Sequence, residues 1–191
     1  MNLPKWVPGE EAKPAPMPLL LVQAFVNTWE GDGGTDLLLD PETARGWLAD
    51  AGLWSRQGSP EPASLHLART VREGIRALLV ANSGGPAAGP ADLQPLRALA
   101  RASRLQLEVG SGGQVSLDPE SGDRLESQLA RLLLAIRDAQ RDGTWRRLKA
   151  CRNPDCRWAF YDRSHSQVGS WCDMATCGNR IKNRRLRERQ K

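Results

Sequence analysis

Apolar residues recur along most of the chain with the spacing of buried helices. The segment Leu19–Trp29 is apolar nearly all round, which predicts a helix inside a core. Across 63–81 the apolar residues repeat every three or four positions, as on one face of a helix. The clearest amphipathic pattern covers 121–141 and places on one stripe Leu125, Leu129, Leu132, Leu133 and Ile136. We expect these helices to supply the main core.

Capping and turn residues add further elements. Asp40 is a good N-cap and Pro41 suits the first helical position, so a helix is predicted from there to about Gly52. Another helix is predicted over 91–102. Two short alternating runs, Leu105–Val109 and Gln114–Asp118, flank a glycine-rich turn and predict a hairpin. The predicted fold is therefore mainly α with a small β-hairpin.

The first 18 residues contain five prolines, which cannot sustain a helix and leave few apolar groups to bury. We predict a flexible, proline-rich arm over 1–18. No run reaches the roughly 18 to 20 apolar residues that cross a bilayer. The nearest candidate for a secretory core, Pro18–Val26, is interrupted by Gln23 and preceded by acidic residues. We therefore expect a cytoplasmic protein without membrane association.

Composition adds an uneven distribution of charge. The 191 residues suit one domain or one domain with a small appendage, and the formal net charge is +5. From Arg141 to Lys191, however, 14 Lys and Arg face 5 Asp and Glu, whereas the preceding residues carry a net charge of −4. An acidic body with a basic end is the asymmetry expected when that end meets a polyanion.

All four cysteines lie near this basic end, in the pattern C-x4-C-x15-C-x4-C. Four thiolates complete the tetrahedral coordination of Zn2+ and leave no open position for water. The spacing therefore predicts one structural zinc ion with the ligands Cys151, Cys156, Cys172 and Cys177. Two disulfides, or free buried thiols, are the alternatives, and a reducing compartment favours the metal.

The residues around the cysteines fit a small metal-dependent module. Asn153-Pro154-Asp155 predicts a tight turn between the first pair of cysteines, so that backbone N–H groups can point at the sulfurs. Trp158–Tyr161 predicts a short strand whose aromatic side chains cover the module. So few aliphatic residues cannot build a core of their own, and we expect the segment not to fold without metal.

Beyond the last cysteine the chain is strongly basic. Thr176 is a plausible N-cap for a helix that would continue to Lys191. Such a helix repels itself unless an anion lies along it, and a nucleic-acid backbone offers that anion. Asn179, Asn183 or one arginine could reach base edges, while the others neutralise phosphates. The candidate nucleic-acid-binding residues are Arg163, Asn179, Arg180, Lys182, Asn183, Arg184, Arg185, Arg187 and Arg189.

The stretch Cys151–Arg185 resembles the CGNR zinc finger, a bacterial C-terminal module named for the tetrapeptide that stands here at 177–180. The resemblance extends to Tyr161-Asp162-Arg163-Ser164 and Trp171-Cys172. Members of that family commonly carry basic residues before the Trp-Cys pair, where this chain has Gly169-Ser170. Upstream, three short motifs resemble the ABATE domain that usually precedes this finger: Ala24–Thr28, Asp36–Leu38 and Trp47–Leu53.

The resemblance implies a helical N-terminal domain over 19–143 and, over 144–191, a small treble-clef-like zinc module with four cysteine ligands and a basic C-terminal helix. It also implies a bacterial stress-induced transcription regulator, with the four cysteines on zinc and the basic segment on DNA. In such a protein the helical domain would sense a small-molecule effector, which the sequence does not identify, or would form a homodimer.

Two other functions are compatible with the sequence. In an RNA-binding module, Trp158, Phe160, Tyr161 and Trp171 could stack on unpaired bases, although a role in the core is the simpler explanation. Alternatively, the zinc module could be a platform for protein interactions. An enzyme is not expected, because neither His66 nor His165 lies in the His-x-Glu pattern of zinc deaminases. A surface position is expected for His165.

Overall fold

A computed structural model describes residues 3–9, 11–31, 34–54, 58–119 and 124–179. Its helices confirm the mainly α fold: α1 (Leu19–Val26), α2 (Pro41–Asp50), α3 (Pro62–Asn82), α4 (Pro90–Ala102) and α5 (Leu125–Arg141). One antiparallel hairpin follows α4, with strands β1 (Leu105–Val109) and β2 (Val115–Pro119). Within the described part of the chain, no helix is both long and apolar enough to span a bilayer.

The five helices enclose one core, in which α3 packs against α1 and α4, and α5 packs against α1 and α4. Every residue of α1 is buried, as its nearly uniform apolar character predicts. The Asp40 carboxylate accepts from Thr43 N at 2.8 Å, which confirms the predicted N-cap of α2. We call residues 19–143 the helical body.

Some element boundaries differ from the prediction. Helix α1 ends at Val26 rather than at Trp29, because Trp29 leaves the helix to form a β-bridge with Asp36. Strand β2 begins one residue later than expected, since Gln114 O accepts from Gly110 N within the turn. The start of the α5 prediction, residues 121–123, lies outside the described residues.

The cysteines belong to a compact C-terminal segment, residues 144–179, which we call the Cys module. A 3₁₀ turn, Thr144–Arg147, leads into β3 (Leu148–Ala150), which pairs antiparallel with β4 (Ala159–Tyr161) and confirms the predicted strand. The last described element is a π-helical turn, Met174–Gly178. Its N-cap is Asp173, which accepts from Thr176 N, so the prediction that Thr176 is the cap is wrong.

The first residues do not form the predicted flexible arm. Trp47 Nε1 donates to Trp6 O at 2.7 Å, and Ala15 is buried. Lys13 contacts the Cys module in two places, because its carbonyl accepts from Tyr161 N at 2.9 Å and its ammonium donates to Trp171 O at 2.8 Å. The prolines exclude a helix here, but they leave an extended backbone whose polar groups are free to pair with other segments. The segment therefore joins the helical body to the Cys module.

Two polar side chains of the otherwise apolar α1 region hold β4 against the helical body. Asn27 donates to Ala159 O at 2.9 Å and accepts from Ala159 N at 2.7 Å, so its amide pairs with both backbone groups of one strand residue. Gln23 donates to the same carbonyl at 3.2 Å and accepts from Ala15 N. Both side chains are completely buried. Buried backbone groups need partners, and here α1 supplies them.

A second contact joins the helical body to the Asn153–Arg157 turn, which carries Cys156. Buried Arg76 on α3 donates to Arg157 O at 3.0 Å and to Val26 O at 2.8 Å, and its guanidinium lies over the Trp29 ring. Gly31, at φ +95°, lies so close that an added Cβ would stand 2.6 Å from Asp155 O and 2.9 Å from Cys156 O. Only glycine leaves room for the turn at this point.

We predict that Asn27→Ala lowers the free energy of unfolding by about 3 kcal/mol, because the buried Ala159 N–H loses its acceptor and Ala159 O keeps only the longer bond from Gln23. Urea denaturation followed by tryptophan fluorescence measures the change. Gln94→Ala, at an exposed position on α4, is the matched control and should change stability by less than about 0.5 kcal/mol. Equal stabilities of wild type and Asn27→Ala would contradict this account of the contact.

Candidate metal centre

The structure brings the four cysteine sulfurs together. All four Sγ atoms lie within 4.8 Å of one another, and the Cys156–Cys172 and Cys172–Cys177 pairs are each 3.7 Å apart. A disulfide would require about 2.05 Å between sulfurs. A tetrahedron with metal–sulfur bonds of about 2.3 Å has sulfur–sulfur edges of about 3.8 Å. The spacing of the sulfurs therefore excludes disulfides and fits a tetrahedral zinc site.

The predicted turn at Asn153–Asp155 positions the first two cysteines. Cys156 N and Arg157 N both donate to Asn153 O at 3.0 Å, and Cys151 N donates to Trp158 O at 2.9 Å. After the larger effect of the neighbouring thiols, hydrogen bonds from the backbone N–H groups of Cys172 and Asn153 also lower the pKa of Cys151. Sulfur accepting such bonds is a common feature of metal-binding turns, because it disperses the charge of the thiolate.

Asn153 also contacts a cysteine of the second pair, which the sequence did not predict. Its completely buried side chain donates to Cys177 Sγ at 3.7 Å. The signal available in the sequence was only the turn motif, and a turn does not reveal where its first side chain points. Asn153 therefore joins the two halves of the cluster and orients one of its ligands.

The electrostatics of the cluster favour a cation. Hydrogen bonds from the neighbouring thiols of Cys156 and Cys172 lower the pKa of Cys151 to about 2. The hydrogen bond to Cys151 raises the pKa of Cys156 to about 12, and Cys151 and Cys156 likewise raise the pKa of Cys172. The first thiolate thus opposes ionisation of the next two. A positive ion between the sulfurs would relieve this opposition, so the donor set fits a bound metal.

A buried ion pair holds the loop between the two cysteine pairs. Lys149 Nζ lies 2.8 Å from Asp162 Oδ2, and both side chains are 5% exposed. Asp162 also accepts from the backbone N–H of Ser164 and from that of Gly169, while Lys149 donates to Gln167 O. Burial alone would raise the pKa of Asp162, but the bonds from Lys149, Ser164 and Gly169 outweigh it and hold that pKa well below its usual value.

This ion pair explains why glycine fits at position 169. Gly169 N donates to Asp162 Oδ2 at 2.7 Å, and an added Cβ would stand 2.7 Å from the same oxygen. A larger side chain at position 169 would force this loop to shift. The sequence does not reveal the ion pair, since nothing in the spacing of Lys149 and Asp162 indicates a contact.

Only two of the candidate nucleic-acid-binding residues lie within the described part of the chain. Arg163 is exposed, and its guanidinium donates to Pro14 O at 2.8 Å, so it also holds the N-terminal segment. Asn179 is exposed immediately after the π-helical turn, and its amide donates to Ala175 O. The other candidates lie outside the described residues, as does the predicted basic helix: Arg180, Lys182, Asn183, Arg184, Arg185, Arg187 and Arg189.

The aromatic side chains of the Cys module are buried or half-buried. Phe160 and Tyr161 are buried, and Lys13 Nζ lies 5.0 Å from the centre of the Phe160 ring. Trp158 and Trp171 are half-buried, and Trp158 Nε1 donates to the Glu11 carboxylate at 3.0 Å. His165 is exposed and lies outside the group of clustered ligands.

Two family models match the chain. The model described as "CGNR zinc finger" matches residues 147–190. The model of the ABATE domain, described as "Putative stress-induced transcription regulator", matches residues 20–143. A search of curated proteins found no match.

We predict about one equivalent of zinc in the purified protein and little in Cys177→Ser, because loss of one thiolate opens the site. Elemental analysis measures the metal content. His165→Ala is the matched control, and zinc retained at the wild-type level there excludes the histidine as a ligand. Wild-type protein without a bound transition metal would contradict the prediction.

We further predict that chelation of the metal lowers the thermal stability of the helical body as well as that of the Cys module. The reason is that β4 and the Asn153–Arg157 turn bind to α1 and α3 through Asn27 and Arg76. Circular dichroism at 222 nm, which follows the helices, should show a lower Tm after treatment with a chelator. An unchanged helical transition would show that the two parts are energetically independent.

Asp162→Asn should lower the free energy of unfolding by about 3 kcal/mol, because it leaves the Lys149 ammonium buried without its counterion. The pKa of Asp162 is lowered from 3.8, so its stabilising contribution is complete above that value and is lost only as the pH falls through the folded-state pKa. The deficit of Asp162→Asn should therefore be the same at about pH 6 and pH 8. Urea denaturation at both pH values tests this, with Asp138→Asn in an exposed pair as the nearly neutral control.

Proposed function

Because the chain belongs to the ABATE family and carries a CGNR zinc finger, we propose that it is a zinc-dependent, DNA-binding transcription regulator. In this proposal a single structural zinc ion, held by the four cysteines, orders the finger, and the basic C-terminal segment contacts DNA. The helical body senses an effector or mediates dimerisation. Neither matched family is an enzyme family.

The observation that carries the proposal is that the basic run follows the last cysteine of the cluster closely in the sequence. Cys177 belongs to the cluster, and the basic run of the sequence begins three residues later at Arg180. Asn179, between them, is exposed and has helical backbone angles. Zinc bound at Cys177 would therefore fix the start of the segment that holds seven of the chain's cations.

The residues divide by chemistry into two roles. Arginine and lysine side chains neutralise phosphates and thereby set position, whereas asparagine can form paired hydrogen bonds with a base edge. We assign the base contacts to Asn179 or Asn183 and the phosphate contacts to the cations: Arg163, Arg180, Lys182, Arg184, Arg185, Arg187 and Arg189. Such a regulator works in the bacterial cytoplasm, where reducing conditions also keep the thiols available for metal.

RNA binding is the alternative, and the positions of the aromatic residues favour DNA over it. Recognition of unpaired RNA needs exposed aromatic rings on which bases stack. Phe160 and Tyr161 are buried, Trp158 donates to Glu11, and Trp171 is half-buried, so none of the four candidate rings is fully exposed for stacking. A backbone contact through cations requires no exposed ring.

We predict that binding to duplex DNA weakens steeply with salt. If about five phosphates are neutralised, the slope of log K against log salt should lie near −4 to −5. Fluorescence anisotropy of a labelled duplex at several salt concentrations measures the slope, and competition with single-stranded DNA and RNA ranks the nucleic acids. A flat response to salt would overturn the DNA proposal, and tighter binding of RNA would favour the alternative.

Substitutions test the assignment of the basic segment. The double variant Arg184→Gln, Arg185→Gln should weaken binding at low salt and reduce the slope by about two, one for each phosphate contact. Arg45→Gln, an exposed arginine on α2, is the matched control and should leave the slope unchanged. Cys177→Ser should abolish specific binding, because the finger is no longer ordered.

A further inference from the structure

The hairpin β1–β2 exposes an apolar face. Leu105, Leu107 and Val109 alternate along β1 and point to one side of the sheet, and Val115 and Leu117 lie opposite them on β2. Leu107 and Val109 are 72% and 73% exposed, and Val115 is 65% exposed. Single exposed apolar residues need no explanation, but a contiguous row on a strand indicates a surface for interaction.

The backbone of β1 also has an open edge. Antiparallel pairs alternate between hydrogen-bonded and non-hydrogen-bonded positions. Gly110 N donates to Gln114 O, so the next pair, Val109 with Val115, is non-hydrogen-bonded, and so are the pairs of Leu107 and Leu105. Pro119, opposite Leu105, lacks an N–H group and agrees with this assignment. The N–H and C=O groups of Leu105, Leu107 and Val109 therefore point away from β2.

Within the described part of the chain nothing covers this edge, and its one charged side chain, Glu108, lies on the side of the sheet opposite the apolar row. Natural proteins shield edge strands with proline, lysine, a bulge or a covering element. Strand β2 lies beside α5, whereas every residue of β1 is exposed. The sequence of β1, LQLEV, contains no proline, lysine or glycine. Among the described residues, no backbone hydrogen bond outside the hairpin involves Leu105, Leu107 or Val109.

The strand is complementary to a second copy of itself. With a two-fold axis at Leu107, the outward-pointing groups of Leu107 in the two copies pair with each other, and Leu105 pairs with Val109 of the other copy. Every apolar residue then faces an apolar residue. On the opposite side of the sheet, Gln106 faces Glu108 of the other copy, so an amide meets a carboxylate and like charges are not directly opposed.

We propose that β1 is a homodimerisation strand, which pairs antiparallel with β1 of a second chain about Leu107 and forms a four-stranded sheet from two hairpins. The surface lies in the helical body, outside the Cys module, so the proposal rests on the dimerisation role within the proposed function, and its failure would leave the proposed DNA binding untouched. A dimer of this kind carries two zinc fingers related by a two-fold axis.

Analytical ultracentrifugation of the zinc-loaded full chain over a range of concentrations tests the proposal. Wild type should show a reversible monomer–dimer equilibrium. Leu107→Pro removes one outward-pointing N–H group and keeps the bonds to β2, so it should raise the dimer Kd at least about tenfold. Leu107→Val, which keeps the N–H group, is the matched control and should dimerise like wild type. Gln106→Lys places a cation opposite Glu108 of the other copy and should lower the Kd at low salt.

Hydrogen exchange supplies a second measurement that does not depend on a variant. The amides of Leu105, Leu107 and Val109 should become protected as the wild-type concentration rises, whereas the amides that already bond to β2 should not change. A wild type that stays monomeric at high concentration would overturn the proposal. A dimer that survives Leu107→Pro without protection of these amides would also overturn it, since the contact would then lie elsewhere.

Discussion

The strand β4 has only three residues, all of them buried, and the N–H and C=O groups along both of its edges need hydrogen-bond partners. On one edge it pairs with β3, and on the other the helical body and the N-terminal segment replace a strand. Asn27 binds both backbone groups of Ala159, and Lys13 O accepts from Tyr161 N. The requirement that buried backbone groups be hydrogen-bonded therefore fixes the Cys module against α1.

Two kinds of interaction stabilise the Cys module: contacts within the module and contacts with the helical body. The sulfur cluster holds the two cysteine pairs together, and the ion pair between Lys149 and Asp162 holds the loop between them. The second kind is contact with the helical body: Arg76 donates to Arg157 O, and Gly31 leaves room for the turn that carries Cys156. A module with so little core of its own depends on both kinds of contact, and the second kind joins the Cys module to the helical body.

Much of this structure could be predicted from local patterns. The spacing of apolar residues and the Asp40 cap predict the helices, and the spacing of the cysteines predicts the sulfur cluster. Each of these signals lies within one short segment of the sequence. The interfaces could not be predicted in the same way. Gln23 and Asn27 stood out as polar residues in an apolar segment, but their partners lie more than 130 residues away. The prolines of residues 1–18 excluded a helix correctly, yet proline content does not show whether an extended segment packs against the rest of the protein.

The joining of the N-terminal segment to the Cys module has a consequence for biosynthesis. Lys13 and Trp171, which form a hydrogen bond, are separated by 158 positions, and Glu11 and Trp158 by 147. A ribosome releases the beginning of the chain long before the end, so Gln23 and Asn27 emerge well before Ala159, the residue to which both bind. The nascent helices can collapse early, but the hydrogen bonds between the N-terminal segment and the Cys module form only after nearly the whole polypeptide has been translated. Until then, the apolar side chains of β3 and β4 are missing from the core that they complete.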